Sequence, residues 1–270
     1  MHVGFIGLGG QGAPMARRIV EAGFETTLWA RRPATLVPFA DTAARTAGSP
    51  AELAAASDLV CLCVVDDGDV RQVGEEVLAG LRPGGIIAVH STVHPDTCRR
   101  LAGRAGAQGV SVLDAPVSGG GRAAGEGTLL VMAGGDSEAF VSCRPVFATY
   151  GDPVVHLGPT GSGQIAKLLN NLLFTAQLGL AADALSLGGR LGLDPDGLGR
   201  ILPRGSSASF ALERLVDAGG TLDRIAGHAG GLLAKDVRLF EEVAGAAAPG
   251  PAVPGPAQEA ARAALRAMGL

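Results

Sequence analysis

Three polar side chains in an otherwise apolar stretch are the residues of this 270-residue chain most able to do chemistry. Within residues 158–190 (GPTGSGQIAKLLNNLLFTAQLGLAADALSLGGR), Gln164, Lys167 and Asn171 follow one another at i, i+3 and i+7. On a helix that spacing stacks them along one side. Ile165, Leu168, Leu169, Leu172, Leu173, Phe174, Leu178, Leu180 and Leu185 surround the same axis, so the helix reads as buried scaffold. Lysines on helices are mostly solvated surface, but an ammonium held against packed leucines needs a partner, a ligand or a lowered pKa. Lys167 is therefore a candidate functional group. Protonated, it can stabilise a developing oxyanion and give up a proton; neutral, it can take one. The fifteen uncharged residues between Lys167 and Asp183, broken by Asn170, Asn171 and Gln177, are too few for a bilayer span of about 20.

Such a group needs something to act on, and the N-terminus supplies the first indication. Residues 2–6 (HVGFI) read as a buried strand, followed by Gly7-Leu8-Gly9-Gly10-Gln11-Gly12 and a helix ending near Gly23. This is GxGxxG between strand and helix. One glycine makes the tight turn, the next lets backbone approach a pyrophosphate, and the third lets helix pack on strand, with the helix N-terminus facing the anion. With 42 glycines in the chain the pattern alone is weak; its place at the head of a β-α-β unit strengthens it. A second strand over 25–30 ends without the carboxylate that holds a ribose 2′-hydroxyl in NAD sites. Arg31 and Arg32 follow instead, and a guanidinium accommodates a 2′-phosphate. NADP is the expected cofactor, with NAD as the alternative.

Strands over 58–65 and 85–90 and helices from Pro50, over 70–81 and from Pro95 continue the alternation, which builds a parallel sheet with helices on both faces. Ligands of such sheets sit beyond the carboxyl ends of the strands, which points to Val64, Val65 and Asp66 and to Ser91 and Thr92 as cofactor-facing loops. After a strand over 110–114 comes Ala115-Pro116-Val117-Ser118-Gly119-Gly120-Gly121, a glycine turn whose backbone N–H groups, with the Ser118 hydroxyl, can form a nest for a carboxylate. There is no GxSxG around Ser118, so it is not read as a nucleophile. Strands over 127–135 and 154–157 close the first region. Beyond Arg190 no convincing strand remains, and leucine-rich stretches at 193–201, 208–217, 232–243 and 258–268 read as helices. The expected organisation is α/β: a Rossmann doubly wound parallel sheet over 1–160, a long interdomain helix over 161–190, and an all-helical region over 191–270 for substrate and oligomer contacts, with a Pro/Gly-rich link at 248–257.

Net charge of −4 gives no basic footprint for nucleic acid or anionic membrane. Cys61, Cys63, Cys98 and Cys143 form no CxxC pair and read as reduced core thiols; the five histidines offer no HExxH-like pair, so no metal is expected. Met1 leads almost directly into a strand, so the expected location is cytoplasmic.

Taken together, residues 4–15 (GFIGLGGQGAPM), 114–135 (DAPVSGGGRAAGEGTLLVMAGG), 158–171 (GPTGSGQIAKLLNN) and Lys235-Asp236 resemble the β-hydroxyacid dehydrogenase family in kind, order and separation. The resemblance implies that Lys167 is the catalytic acid/base, that Asn171 helps fix the substrate, and that Ser118, Gly119 and Gly120 hold the carboxylate of a small hydroxy acid or semialdehyde. It further implies that Gly7, Leu8, Gly9, Gln11, Gly12, Thr92, Lys235, Val64 and Val65 contact the dinucleotide, and that the chain works as a homo-oligomer, a dimer or tetramer. From spacing alone Lys235 is an ordinary exposed charge paired with a neighbour. The family commonly has Met where Gln11 stands, Leu-Pro where Val64-Val65 stand, and a further acidic, aromatic tail beyond the position of Leu270. An imine reductase on the same scaffold, which usually carries another residue at the Lys167 position, and a non-enzymatic NADPH-binding protein are the alternative readings.

Overall fold

The computed structural model describes residues 1–247 and 254–270. Two compact units make up the chain, Met1–Lys167 and Leu168–Leu270. In the first, β1 (Val3–Ile6), α1 (Gly12–Glu21), β2 (Thr26–Trp29), β3 (Arg45–Thr46), α2 (Pro50–Ala55), β4 (Leu59–Leu62), α3 (Asp67–Gly80), β5 (Ile86–Val89), α4 (Pro95–Gly106) and β6 (Ser111–Asp114) form a six-stranded sheet with its crossover helices. The order is β3-β2-β1-β4-β5-β6 and every pairing is parallel, which is the doubly wound topology expected from the alternating pattern. Its central strands read as unbroken apolar runs because both faces are covered. Val3 and Phe5, Leu59 and Cys61, and Ile86 and Ala88 enter one core; Ile6, Val60 and Leu62, and Ile87 and Val89 enter the other.

Two later strands are expected, over 127–135 and 154–157, whereas the structure has three. β7 (Val117–Ser118), α5 (Gly120–Glu126), β8 (Leu129–Ala133), α6 (Ser137–Phe147) and β9 (Gly151–His156) follow, and β7-β8-β9 form a separate three-stranded sheet, antiparallel then parallel. β3, β7, α5, α6 and a 3₁₀ turn over Pro33–Phe39 have no counterpart in the sequence pattern: β3 and β7 are two residues long, and α5 begins inside the glycine run that reads as a turn.

His90, which follows β5 and stacks on Phe5 of β1, is 3% exposed. Its Nδ1–H donates to the Ala115 carbonyl at 2.7 Å, because a carbonyl can only accept, and its Nε2 therefore accepts from the Tyr150 hydroxyl at 3.1 Å. Burial holds the imidazole pKa down from 6.5 to about 4. The folded state then binds this proton later than the unfolded chain as pH falls. The stabilisation is complete above pH 6.5 and lost between 6.5 and about 4, amounting to about 3 kcal/mol. Urea unfolding at pH 7.5 and 4 is expected to show a loss on acidification about 3 kcal/mol larger in the native chain than in His90→Asn; equal losses would contradict the assignment.

α7 (Ser162–Arg190) leaves the first unit and enters the second, which continues with α8 (Pro195–Ile201), α9 (Phe210–Asp217), α10 (Asp223–Ile225), α11 (Gly231–Ala247) and α12 (Pro256–Ala267). No strand occurs among the described residues of this unit. The Pro/Gly-rich stretch is partly helical, since Pro256 opens α12; its residues 248–253 lie outside the described ones. Leu172, Ala176 and Leu178 of α7 pack with Ala211 and Leu215 of α9, Leu233 and Val237 of α11, and Ala261 and Leu265 of α12.

Two expectations for α7 need correction. The helix is not buried all round, because Leu169, Leu173, Leu180 and Leu187 are 49%, 52%, 63% and 45% exposed. At 29 residues it is also long and apolar enough to cross a membrane by length and composition; counting only the residues between Lys167 and Asp183 understated its length.

Candidate active site

The start of α7 is anchored by buried side chains on both sides of the contact. Asp114, at the carboxyl end of β6, is fully buried and its carboxylate accepts the N–H groups of Gly161 at 2.6 Å and Gln164 at 2.8 Å. Burial pushes this carboxyl up, while the helix N–H groups pull the other way. A carboxylate from a neighbouring strand thereby satisfies donors that the first helical turn leaves without intrahelical partners, where the helix dipole favours an anion.

Gln164 supplies the second anchor. Fully buried, it donates from Nε2 to the Ser91 carbonyl at 2.8 Å and accepts at Oε1 from the Val93 N–H at 3.0 Å. One amide thus clamps both neighbours of Thr92. Ser91 Oγ in turn accepts the Val64 N–H at 2.9 Å. Gln164, the first residue of the polar stripe, is the tie between α7 and the loops after β4 and β5. One turn beyond it stands Lys167, 8% exposed.

In the second unit, Asn171 meets Asp236, which is 4% exposed. Asn171 Nδ2 donates to Asp236 Oδ2 at 2.5 Å, and Lys235 Nζ lies 3.2 Å from Asp236 Oδ1. Because a carboxylate only accepts, this contact fixes which way the Asn171 amide points; its Oδ1 accepts from Asn170 Nδ2 at 2.9 Å. Lys235 is paired with its neighbour as expected, but the reading of it as exposed is corrected by its side-chain exposure of 20%.

The glycine fingerprint has the shape that its spacing implies. A Cβ at Gly7 would run into the Cys63 carbonyl, and one at Gly12 into the Gly7 carbonyl, whereas a Cβ at Gly9 would meet nothing within 4 Å. Tight packing is confined to the turn and the helix entry, and the middle glycine faces open space where a pyrophosphate can approach backbone. Beside it is a cavity of about 340 Å³ lined by Gly7, Leu8, Gly9, Trp29, Arg31, Arg32, Thr35, Val64, Val65 and Asp69, among others. A dinucleotide fits these residues. Gln11 and Gly12 begin α1, and neither they nor Thr92 are among the residues lining the cavity; Lys235 belongs to the second unit. The Ser118 segment is brought to the fingerprint from the other side, since a Cβ at Gly121 would strike the Gly10 carbonyl. Gly119 and Gly120 have φ of +130° and +76°, backbone conformations that glycine adopts without the penalty a Cβ brings.

The residues that the sequence did not single out are the carboxylates, Asp69, Asp114 and Asp236. Asp114 and Asp236 lie within recognisable blocks, but nothing in their spacing announces what they bond.

A doubly wound sheet with a glycine-lined cavity at the carboxyl ends of its strands, and a buried lysine on the helix leaving it, defines a nicotinamide-dinucleotide-dependent oxidoreductase. The chain belongs to the β-hydroxyacid dehydrogenase family and is a hydroxyacid dehydrogenase. Residues 2–158 match the NAD binding domain of 6-phosphogluconate dehydrogenase, and residues 161–269 the NAD-binding domain of NADP-dependent 3-hydroxyisobutyrate dehydrogenase. The chain is 34% identical to the NAD-dependent L-serine dehydrogenase of Pseudomonas aeruginosa over 257 residues, covering 92% of this chain and 86% of the relative. With the 3-hydroxyisobutyrate dehydrogenase of the same organism it shares 32% over 247 residues, 88% and 83% of the two chains. The solved structure of Mycobacterium tuberculosis 3-hydroxyisobutyrate dehydrogenase with L-serine superposes with a TM-score of 0.83 at 28% identity, covering 97% of this chain and 91% of that one.

Proposed function

We propose that the protein interconverts a small β-hydroxy acid and its semialdehyde or keto acid, using NADP, with Lys167 as general acid/base. The observation that carries this reading is the burial of Lys167 on a turn tied by Asp114 and Gln164 to the loops after β5 and β6. A bound nicotinamide supplies or accepts the hydride, and Gly7, Leu8, Gly9, Arg31, Arg32, Val64 and Val65 would hold the dinucleotide. The chain's own part is the proton. In reduction, protonated Lys167 Nζ stabilises the negative charge growing on the substrate oxygen and delivers its proton there; in oxidation the neutral amine takes it. Asn171, with one N–H committed to Asp236, has a second N–H of fixed direction to orient the substrate, so little order has to be gained on binding. Ser118, Gly119 and Gly120 hold the carboxylate in this reading, and Thr92 and Lys235 complete the cofactor contacts.

The experiment is a screen of NADPH oxidation over glyoxylate, succinic semialdehyde, tartronate semialdehyde and methylmalonate semialdehyde, with L-serine and 3-hydroxyisobutyrate tested in the oxidative direction. At least one pair is expected to turn over. Cofactor binding without turnover of any would favour a binding protein and sink the reading.

The protein is also read as a cytoplasmic homo-oligomer that binds neither membrane nor nucleic acid. Leu169, Leu173, Leu180 and Leu187 are spaced 4, 7 and 7 residues apart, which lines them up along about 27 Å of one side of α7. A second copy of the chain covers that stripe in this reading, and a sedimentation mass of one chain would contradict it.

A further inference from the structure

NAD sites of this topology end their second strand on a carboxylate that accepts the ribose 2′-hydroxyl, and β2 ends on Trp29-Ala30-Arg31 without one. The fold brings a carboxylate there from elsewhere. Asp69, in the first turn of α3, places Oδ1 2.7 Å from Arg31 Nη2 and accepts the Val65 N–H on Oδ2 at 3.3 Å. Its own N–H donates to Asp66 Oδ1 at 2.9 Å. Both residues line the 340 Å³ cavity with Gly7 and Gly9. Their side chains are unequal partners: Asp69 is 19% exposed and Arg31 62%. The carboxylate is the anchored member, seated where the helix dipole favours an anion, and the long arginine is the member that can adjust.

We propose that the Arg31–Asp69 pair sets cofactor choice, with Arg31 holding the 2′-phosphate of NADP and Asp69 accepting the 2′-hydroxyl of NAD. A guanidinium has five donors, so the bond to Asp69 leaves others for a phosphate. The phosphate, carrying nearly two negative charges, must nonetheless sit close to a carboxylate that cannot withdraw. Asp69 therefore disfavours NADP and favours NAD, Arg31 does the reverse, and the site takes both. The inference rests on the reading of Arg31 as the residue that meets the 2′ position, and the test separates the two.

Dissociation constants of the full chain for NADPH and NADH are measured by the fluorescence of Trp29, the only tryptophan, which lines the same cavity. The native chain is expected to bind the two within about thirtyfold of each other; a larger preference either way overturns the proposal. Asp69→Asn, which keeps the side-chain shape, should shift the ratio at least fivefold towards NADPH, and Asp69→Ser should shift it the same way. Arg31→Ala should shift it at least tenfold towards NADH. If Arg31→Ala weakens both dinucleotides equally, the arginine does not read the 2′-phosphate and the NADP reading itself fails. If Arg31→Ala is selective but the Asp69 variants shift the ratio less than fivefold, or towards NADH, the role of Asp69 alone is overturned.

Discussion

Lys167→Ala is expected to lower turnover by at least ~10²-fold while leaving NADPH binding, read from Trp29 fluorescence, unchanged. The size follows from the role proposed for the group, which is to carry the proton that balances the hydride. The insensitivity of binding follows from position. Lys167 is absent from the lining of the 340 Å³ cavity, and the glycine turn, Trp29 and Arg31 that form it belong to other elements. Lys167→Arg separates the two halves of the role, since it keeps the positive charge but holds its proton too tightly to exchange it near neutral pH. It is expected to be nearly as slow as the alanine variant. Near-normal turnover in Lys167→Ala would remove the lysine from the chemistry, and full activity in Lys167→Arg would reduce it to a fixed charge.

The second large effect is expected at Asp114, which touches no predicted ligand. Asp114→Ala should destabilise the chain by about 3 kcal/mol, because it strips the first turn of α7 of an acceptor for two buried N–H groups. The loss is smaller than the sum of two charged hydrogen bonds, since the variant no longer buries a carboxylate, whose desolvation already raises its pKa. A drop in kcat should accompany it, as the turn carrying Lys167 loses one of its two anchors, while NADPH binding changes little. Asp114→Asn, which retains one acceptor oxygen, should fall between the alanine variant and the native chain. Urea unfolding together with kcat checks both parts; a stability loss below about 1 kcal/mol would show that Gln164 alone suffices to hold the turn.

What was readable in advance divides along the range of the interactions. The glycine fingerprint worked because each glycine answers a local demand: a turn at Gly7, an open approach at Gly9, a close helix entry at Gly12. Strand positions were readable because burial on both faces leaves a continuous apolar run such as 58–65. The reading failed where local signal and outcome part company. The run 118–121 has the composition of a loop, yet α5 begins at Gly120 once β7 and β8 have paired. The leucines of α7 gave the period of an apolar helix but not how many of its sides would be covered.

The sequence by itself determined the order of elements, the doubly wound class and the placing of Gln164, Lys167 and Asn171 on one helix, because helical period and turn chemistry are properties of adjacent residues. Tertiary structure alone decided the partners. Asp69 reaches Arg31 across 38 positions, Asp114 reaches Gly161 across 47, and Asp236 reaches Asn171 across 65. A carboxylate carries no mark of the donor it will meet; that is set by strand order and helix packing, which bring distant segments within 3 Å of one another only after the chain has folded.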